Sequence, residues 1–528
     1  MIILKHYINS RTFLSKLINQ TKEGLLMSEA VDTNGKPYNR GLMVMVLLIG
    51  TFCTVLNQTI LTTAFPTLMK AFDISTSTVQ WLTTGFLMVN GIMIPISAYL
   101  SNRFNSKWLY IGAMMIFEIG TIMAYIAPNY GTLLAGRLVQ AIGVGVTMPL
   151  LQTLMLTIFP ASSRGAAMGL AGIVIGVAPA IGPTLSGWVI DKFQWRDLFG
   201  MIIPIVALVI ILAFFFMKSV IETSKPKLDW LSASLSTIGF GSLLYGFSSV
   251  GDDGWTSTKV LSFLAVGVVV IALFIWRQLT MKNPFLQLRV FKSFEFTIAA
   301  ILSSVVTIAM TGVELVLPLY LQIVHGMSAF HSGLTLLPGA LMMAVMSPIT
   351  GQTFDRIGAR RMAVAGMFLL TAGTLPFVMI TKSTPVIYVT FLYAVRMFGI
   401  SMVMMPVTTA GMNALSFDMI SHGTAVNNTT RQVATSIGSA ILVSVLSNVT
   451  KNAMPAHHVL TQTPLAYKVR AINATMSGYH ATFWVAVGFC IVGFLLAFFL
   501  KGANHSNATV TSDDLKATSE PANNGGEA

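Results

Sequence analysis

Apolar runs long enough to cross a bilayer follow one another almost without pause in this sequence, and a membrane leaves such a chain few options. Each spanning helix needs roughly 20 mostly apolar residues. Runs of that kind fall near 41–63, 79–100, 107–127, 131–153, 165–189, 198–217, 230–250, 259–276, 295–320, 329–351, 362–381, 385–409, 429–449 and 480–500. The reading is an all-α polytopic membrane protein with 14 transmembrane helices. Composition agrees: 54% of the 528 residues are hydrophobic and 10% charged, against about a quarter charged in soluble domains.

The net charge of +13 raises the question of nucleic acid, but the 32 Lys and Arg stand in small groups between the apolar runs. That is the pattern of topology signals, not of a phosphate-binding patch, so no nucleic-acid partner is expected. An even number of crossings puts both termini on one side. Under this topology the terminal side carries 22 of the cations and the opposite side 8, with Arg137 and Arg396 inside crossings. The bias makes both termini cytoplasmic. Residues 1–40 then form a basic cytoplasmic tail and 501–528 a disordered one. Met1 to Leu4 is too short an apolar stretch for a signal peptide, and Met27 reads as an alternative start, with 1–26 an extension. Cys53 and Cys490 both lie in apolar runs, against a disulfide framework or zinc site. His457-His458 resembles a metal pair, but its loop offers no further ligands at spacing. No metal site is expected.

One run is unusual. Gly169 to Gly187 reads GLAGIVIGVAPAIGPTLSG, with five glycines and with Pro179 and Pro183 in a stretch that must be helix. Proline removes an amide donor and glycine weakens a helix. A membrane tolerates both where neighbouring helices re-satisfy the backbone, and small residues let backbones approach closely. The stretch reads either as a packing seam or as a seam that bends.

Internal similarity follows. PISAYLSNRFNSKW (95–108) aligns without a gap to PITGQTFDRIGARR (348–361), and AGRLVQAIGVGVTMP (135–149) pairs loosely with YAVRMFGISMVMMP (393–406). The chain thus divides into a tail (1–40), a six-helix bundle (41–217), an inserted two-helix hairpin with linkers (218–293), a second six-helix bundle (294–500) and the C-terminal tail. Duplicated bundles are a transporter hallmark.

With these motifs in view, the chain resembles the major facilitator superfamily, and within it the fourteen-span drug:proton antiporters of the EmrB/QacA type. The resemblance covers about residues 41–500. The loop motif G-x-x-x-D-R-x-G-x-[RK]-[RK] is intact as Gly351, Asp355, Arg356, Gly358, Arg360 and Arg361. Its first-half copy has Ala98, Asn102 and Asn105 where glycine, aspartate and glycine stand in the motif, while Arg103 and Lys107 survive. The fourth-helix motif appears as Arg137, Gln140, Ala141 and Gly143, and the first-helix motif as Asn57, Gln58, Thr59, Ile60, Ala64 and Pro66. The fifth-helix antiporter motif maps to Gly169, Ala178, Gly182, Pro183, Ser186 and Gly187. The resemblance implies a major facilitator fold (6 + 2 + 6), a charge latch at the loop motif, and a bend at the antiporter motif that closes the periplasmic side against leak. On this reading a bulky residue at Gly182 costs transport more than folding.

Ionisable residues at membrane depth are functional candidates by default. Arg137 and Arg396 serve either coupling and conformational change or the satisfaction of backbone carbonyls. Glu314, in GVELVLPLYLQ, carries the proton, holds a cationic substrate, or forms a local ion pair. Glu118 reads as structural. Asn57 stands where many relatives carry an acid, and an amide carries no proton. Candidates for the substrate cavity are Asn57, Gln58, Thr59, Gln152, Met310, Tyr320 and Met405, with Trp81, Phe86, Asn427, Asn428, Arg431 and Gln432 also noted. No phosphate-binding Gly-x4-Gly-Lys-Ser/Thr loop or hydrolase constellation is present. The expected function is efflux of lipophilic drugs, driven by the proton gradient with no cofactor and no enzymatic step. The expected setting is the cell membrane, as a monomer or with an accessory subunit. Export or import of one endogenous metabolite or peptide is the alternative, and a non-transporting sensor a more distant one.

Overall fold

Almost every described segment is helix, because a chain that crosses a membrane must satisfy its backbone away from water. The computed structural model describes residues 30–223, 229–455 and 464–501. The alternative start at Met27, His457-His458 and most of the C-terminal tail lie outside the described residues. A small antiparallel ribbon, β1 (Ala30–Val31) and β2 (Pro37–Tyr38), precedes the helices.

The long helices are α1 (Arg40–Thr59), α2 (Thr76–Arg103), α3 (Ser106–Tyr125), α4 (Tyr130–Ile158), α5 (Arg164–Lys192), α6 (Ile202–Phe216) and α7 (Trp230–Asp253). They continue as α8 (Thr258–Thr280), α9 (Phe294–Leu319), α10 (Ala329–Ile357), α11 (Ala359–Thr374), α12 (Val386–Asn413), α13 (Ile420–Ala453) and α14 (Pro464–Ala497). Many starts are set by a side chain that accepts a first-turn amide: Asn39 for α1, Ser75 for α2, Asn105 for α3, Asn129 for α4, Ser293 for α9 and Ser328 for α10. Between α10 and α11 the chain turns on Gly358 at φ 84°, a conformation only glycine adopts freely. Its first-half counterpart, Asn105, keeps φ −56° and caps α3 instead.

Among the described residues, 13 helices are long and apolar enough to cross a membrane. The apolar run at 230–250 is a long helix, α7, outside that set. Its serines account for the difference: Ser232 and Ser236 are buried within the protein and Ser248 faces the central cavity. The run at 429–449 belongs to a longer helix, Ile420–Ala453, so Arg431 lies well inside it rather than in a loop. Arg431 therefore drops out of the topology count.

The first six helices pack on one another, chiefly α3 on α4, α2 on α4 and α1 on α5. The last six do likewise, through α11 and α12, α10 and α12, and α13 against α9 and α14. Two seams join the groups. The contact of α5 with α10 is the more extensive, and α2 with α13 forms the other. Helix α7 lies on both α2 and α13, over that second seam, and α8 packs on α7.

Candidate functional site

The glycines of α5 occupy two different faces. On the face toward α10, a methyl group at Gly169 would stand 2.5 Å from the Ser347 carbonyl oxygen. At Gly172 it would stand 3.0 Å from both the Ser347 hydroxyl and Met405 Cγ, and at Gly176 it would overlap Met343. Gly165 and Gly351 bring the two backbones into direct contact. Close approach along a small-residue stripe is how membrane helices gain packing. The face toward α1 does other work. Pro183 has no amide for the carbonyl of Pro179, and the Thr59 hydroxyl lies 3.4 Å from that oxygen, shared with its own Leu56 carbonyl at 3.3 Å. Gly182 faces Thr59 Oγ1 and Ser186 accepts from Thr63. Ala178 is buried beside Val55 and Leu56. Gly182 is thus a packing position within the first group of helices, whereas Gly165, Gly169, Gly172 and Gly176 form the seam. A methyl group at Gly187 would meet Phe330 of α10 at ordinary contact distance, 3.5 Å.

At the end carrying the described termini, polar side chains tie the two groups together. Ser163 makes no side-chain cap for α5. The cap comes from the opposite group: Asp355 of α10 accepts from the Gly165 amide at 2.9 Å and the Ala166 amide at 3.0 Å. A carboxylate on the first turn of a helix meets both the unsatisfied amides and the positive end of the helix dipole. Arg164 adds a bond to Asn413 at 2.9 Å. Across the other seam, Asn102 bonds Ser421 Oγ at 2.9 Å and His422 Nε2 at 3.0 Å, while His422 Nδ1 accepts from the Gln287 amide at 3.3 Å. The first-half loop motif therefore still latches, through an amide. In the second half the latch is not a side-chain ion pair: among the described residues Asp355 has no cation within 4 Å, and the exposed Arg356, Arg360 and Arg361 have no carboxylate there.

Above these ties lies a cavity of about 340 Å³ between the groups. Its walls come from α1, α2, α4, α5, α7, α9, α12 and α13. Gln58, Asn90 and Pro179 stand on one side; Met310, Glu314, Arg431 and Gln432 on the other. Glu314 is exposed, and what it is exposed to is this cavity. Arg431 approaches Thr307 Oγ1 at 3.4 Å. Glu314 lies seven residues further along α9, about 10 Å at 1.5 Å per residue. The cavity thus carries one negative and one positive group at separate levels between hydroxyls, amides and methionines. Its floor is an amide pair between groups, Asn428 donating to Gln152 at 2.6 Å.

The two buried arginines occupy matching nodes. Arg137 donates to Leu82 O (3.3 Å), Asn57 O (3.0 Å) and Gln140 Oε1 (3.0 Å), lies 4.1 Å from the Phe86 ring centre, and reaches Thr121 through Gln140. Arg396 donates to Ala309 O at 2.7 Å and Thr374 Oγ1 at 3.2 Å. In each group the guanidinium joins the fourth helix to a carbonyl of the first and, directly or through one amide, to a threonine of the third. No carboxylate lies within 4 Å of either among the described residues.

Of the seven cavity candidates, Gln58 and Met310 line it. Asn57 does not: its side chain is fully buried with neither polar atom bonded. Thr59 serves the Pro179 carbonyl, Gln152 is bonded by Asn428 in the floor, and Met405 packs on Gly172. Tyr320 bonds Thr381 O at 2.7 Å and His325 at 2.9 Å, away from the cavity. Trp81 stacks on Tyr245 of α7. The sequence reading passed over Asn90, Thr311, Ser436 and, from the hairpin, Leu244 and Ser248, all of which line the cavity. Cys53 and Cys490 are free and buried, and Glu118 is buried with Oε2 unbonded.

Comparison with known proteins agrees with this architecture. The chain is similar to the MFS-type transporter YcnB of Bacillus subtilis, 49% identical over 88% of this chain and 96% of the relative. It is 40% identical to the lincomycin resistance protein LmrB of the same organism, over 87% of this chain and 95% of that one. In fold it is similar to the human organic anion transporter MFSD10, with a TM-score of 0.60 at 13% identity, covering 87% of this chain and 99% of that structure. The Major Facilitator Superfamily profile matches residues 47–439. The chain, a multi-pass membrane protein, belongs to the major facilitator superfamily of transporters.

Proposed function

We propose that the chain exports lipophilic drugs in exchange for protons, by alternating access of a central cavity to the two sides of the cell membrane. The observation that carries this reading is Glu314, a carboxylate open to a cavity walled by both groups of helices, with no ion-pair partner within 4 Å among the described residues. A carboxylate so placed binds either a proton or a basic group of a lipophilic compound, and each expels the other. Methionine and leucine walls suit varied apolar bodies, and Arg431 at the other level accommodates an acceptor group. The name of the relative LmrB supports a drug, and lincomycin in particular, as a first substrate to try.

In this reading α7 is the fourteenth span, both termini are cytoplasmic, and the ties at that end make this the outward-facing arrangement. Arg137 and Arg396 hold each group rigid while the α5–α10 seam moves. The proton gradient is the energy source; no cofactor is needed, and the monomer is the working unit. Expression in an efflux-deficient bacterial host should raise tolerance of lincomycin and lower accumulation of a lipophilic dye, and a protonophore should abolish both effects. Dye export that survives the protonophore overturns proton coupling; no change in tolerance or accumulation overturns drug export.

A further inference from the structure

A second cleft, of about 490 Å³, lies outside the central cavity, bounded by α7, α8, α13 and the linker that joins α8 to α9. Its walls are almost wholly apolar, among them Phe240, Ile271, Phe274 and Val433. At its mouth, in the linker, stand Arg289 and the exposed Lys292. The Arg289 guanidinium is oriented by the Leu279 and Met281 carbonyls, 3.0 and 3.2 Å from Nη2. Neither cation has a carboxylate within 4 Å among the described residues; nearby Glu295 is engaged by Lys501 and Asp229 by Arg277. Ile271 lies nine residues before the end of α8, about 13 Å along its axis. The cleft therefore runs from the membrane surface through roughly one leaflet of the ~30 Å hydrocarbon core.

We propose that this cleft is a binding site for a membrane phospholipid with a net-negative headgroup. One acyl chain fills the space between the hairpin and α13, and the headgroup phosphate sits between Arg289 and Lys292. Two unpaired cations above an apolar slot of leaflet depth match that chemistry and no zwitterionic headgroup as well. The occupant wedges the hairpin against α13, the helix that also carries Asn428, Arg431 and Gln432 into the central cavity.

Native mass spectrometry of the purified full-length protein, titrated in detergent with phosphatidylglycerol or phosphatidylcholine, tests this. Phosphatidylglycerol should bind more tightly, by about five-fold for each cation that contributes. The Lys292 side chain makes no hydrogen bond or ion pair among the described residues, so Lys292→Gln should fold normally and weaken phosphatidylglycerol about five-fold without affecting phosphatidylcholine. Val433→Phe, which fills the slot, should lower occupancy by both lipids. Equal binding of the two lipids by the parent protein overturns the proposal, as does a Lys292→Gln variant with unchanged phosphatidylglycerol affinity. These outcomes are independent of whether drugs are exported.

Discussion

Replacing Gly169 by alanine probes the α5–α10 seam where it has least room to adjust. The added methyl would meet the Ser347 carbonyl oxygen at 2.5 Å and the Pro348 Cα at 2.9 Å, both backbone atoms. Carbon–oxygen contacts settle near 3.3 Å or beyond, so the helices must part by about 0.8 Å. One turn away, the Asp355 bonds to Gly165 and Ala166, now 2.9 and 3.0 Å, would stretch past about 3.5 Å and cease to be hydrogen bonds. Bonds to a charged group contribute about 1.5–3 kcal/mol each. The arrangement closed at the terminal end therefore loses about 3 kcal/mol, close to a hundredfold in its ratio to one open there. Spin labels at Ser162 and Arg360, both exposed and one on each side of the seam, would report the change by pulsed electron resonance as a longer distance population. Asp355→Asn should move the population in the same direction but less, since one carbonyl oxygen remains to accept. A Gly169→Ala distance distribution identical to the parent's would refute the claim that this backbone contact holds the end closed.

Three further outcomes follow. Gly182→Ala should lower thermal stability by about 1–2 kcal/mol, by displacing the Thr59 hydroxyl from the Pro179 carbonyl, without lengthening the spin-label distance. Thr59→Ala should cost a similar amount alone, and the double variant should cost less than the sum, as neighbours that share one contact do. Arg137→Lys should destabilise by on the order of 3 kcal/mol, because an ammonium cannot reach Leu82, Asn57 and Gln140 together while lying on Phe86; an unchanged melting curve contradicts its role as a node.

Much of the fold was legible because hydropathy and membrane thickness act on every residue of a span. Helix α7 is less apolar than the others because of its serines, of which Ser232 and Ser236 are buried within the protein and Ser248 faces the cavity. The glycine-rich run read either as a packing seam or as a seam that bends, and Gly169 and Gly172 lie where α5 meets α10 closely. Gly182 was not separable from them, because helical facing depends on which neighbour each turn meets. Of the cavity lining, Glu314, Gln58, Met310, Asn428, Arg431 and Gln432 stood out in the sequence, as polar, charged or methionine side chains within apolar runs. Thr307 and Thr311 bond carbonyls one turn back on their own helix, as threonines do anywhere in a membrane helix, so their sequence gives no sign of the cavity they line. Asn57 misleads for the opposite reason: its side chain is buried, and its carbonyl is what Arg137 uses. The first-half motif lacks the aspartate, yet Asn102 makes the connection with an amide where its counterpart, Asp355, uses a carboxylate.

The central claim is that Glu314 exchanges a proton for substrate inside the cavity, and transport by Glu314→Gln in proteoliposomes tests it most directly. Glutamine fits the same space, so protein yield and melting should match the parent. With an imposed proton gradient, concentrative drug transport should fall to the level of empty vesicles, while downhill drug exchange between loaded vesicles and medium persists. Gradient-driven accumulation undiminished in the Glu314→Gln protein would contradict the account.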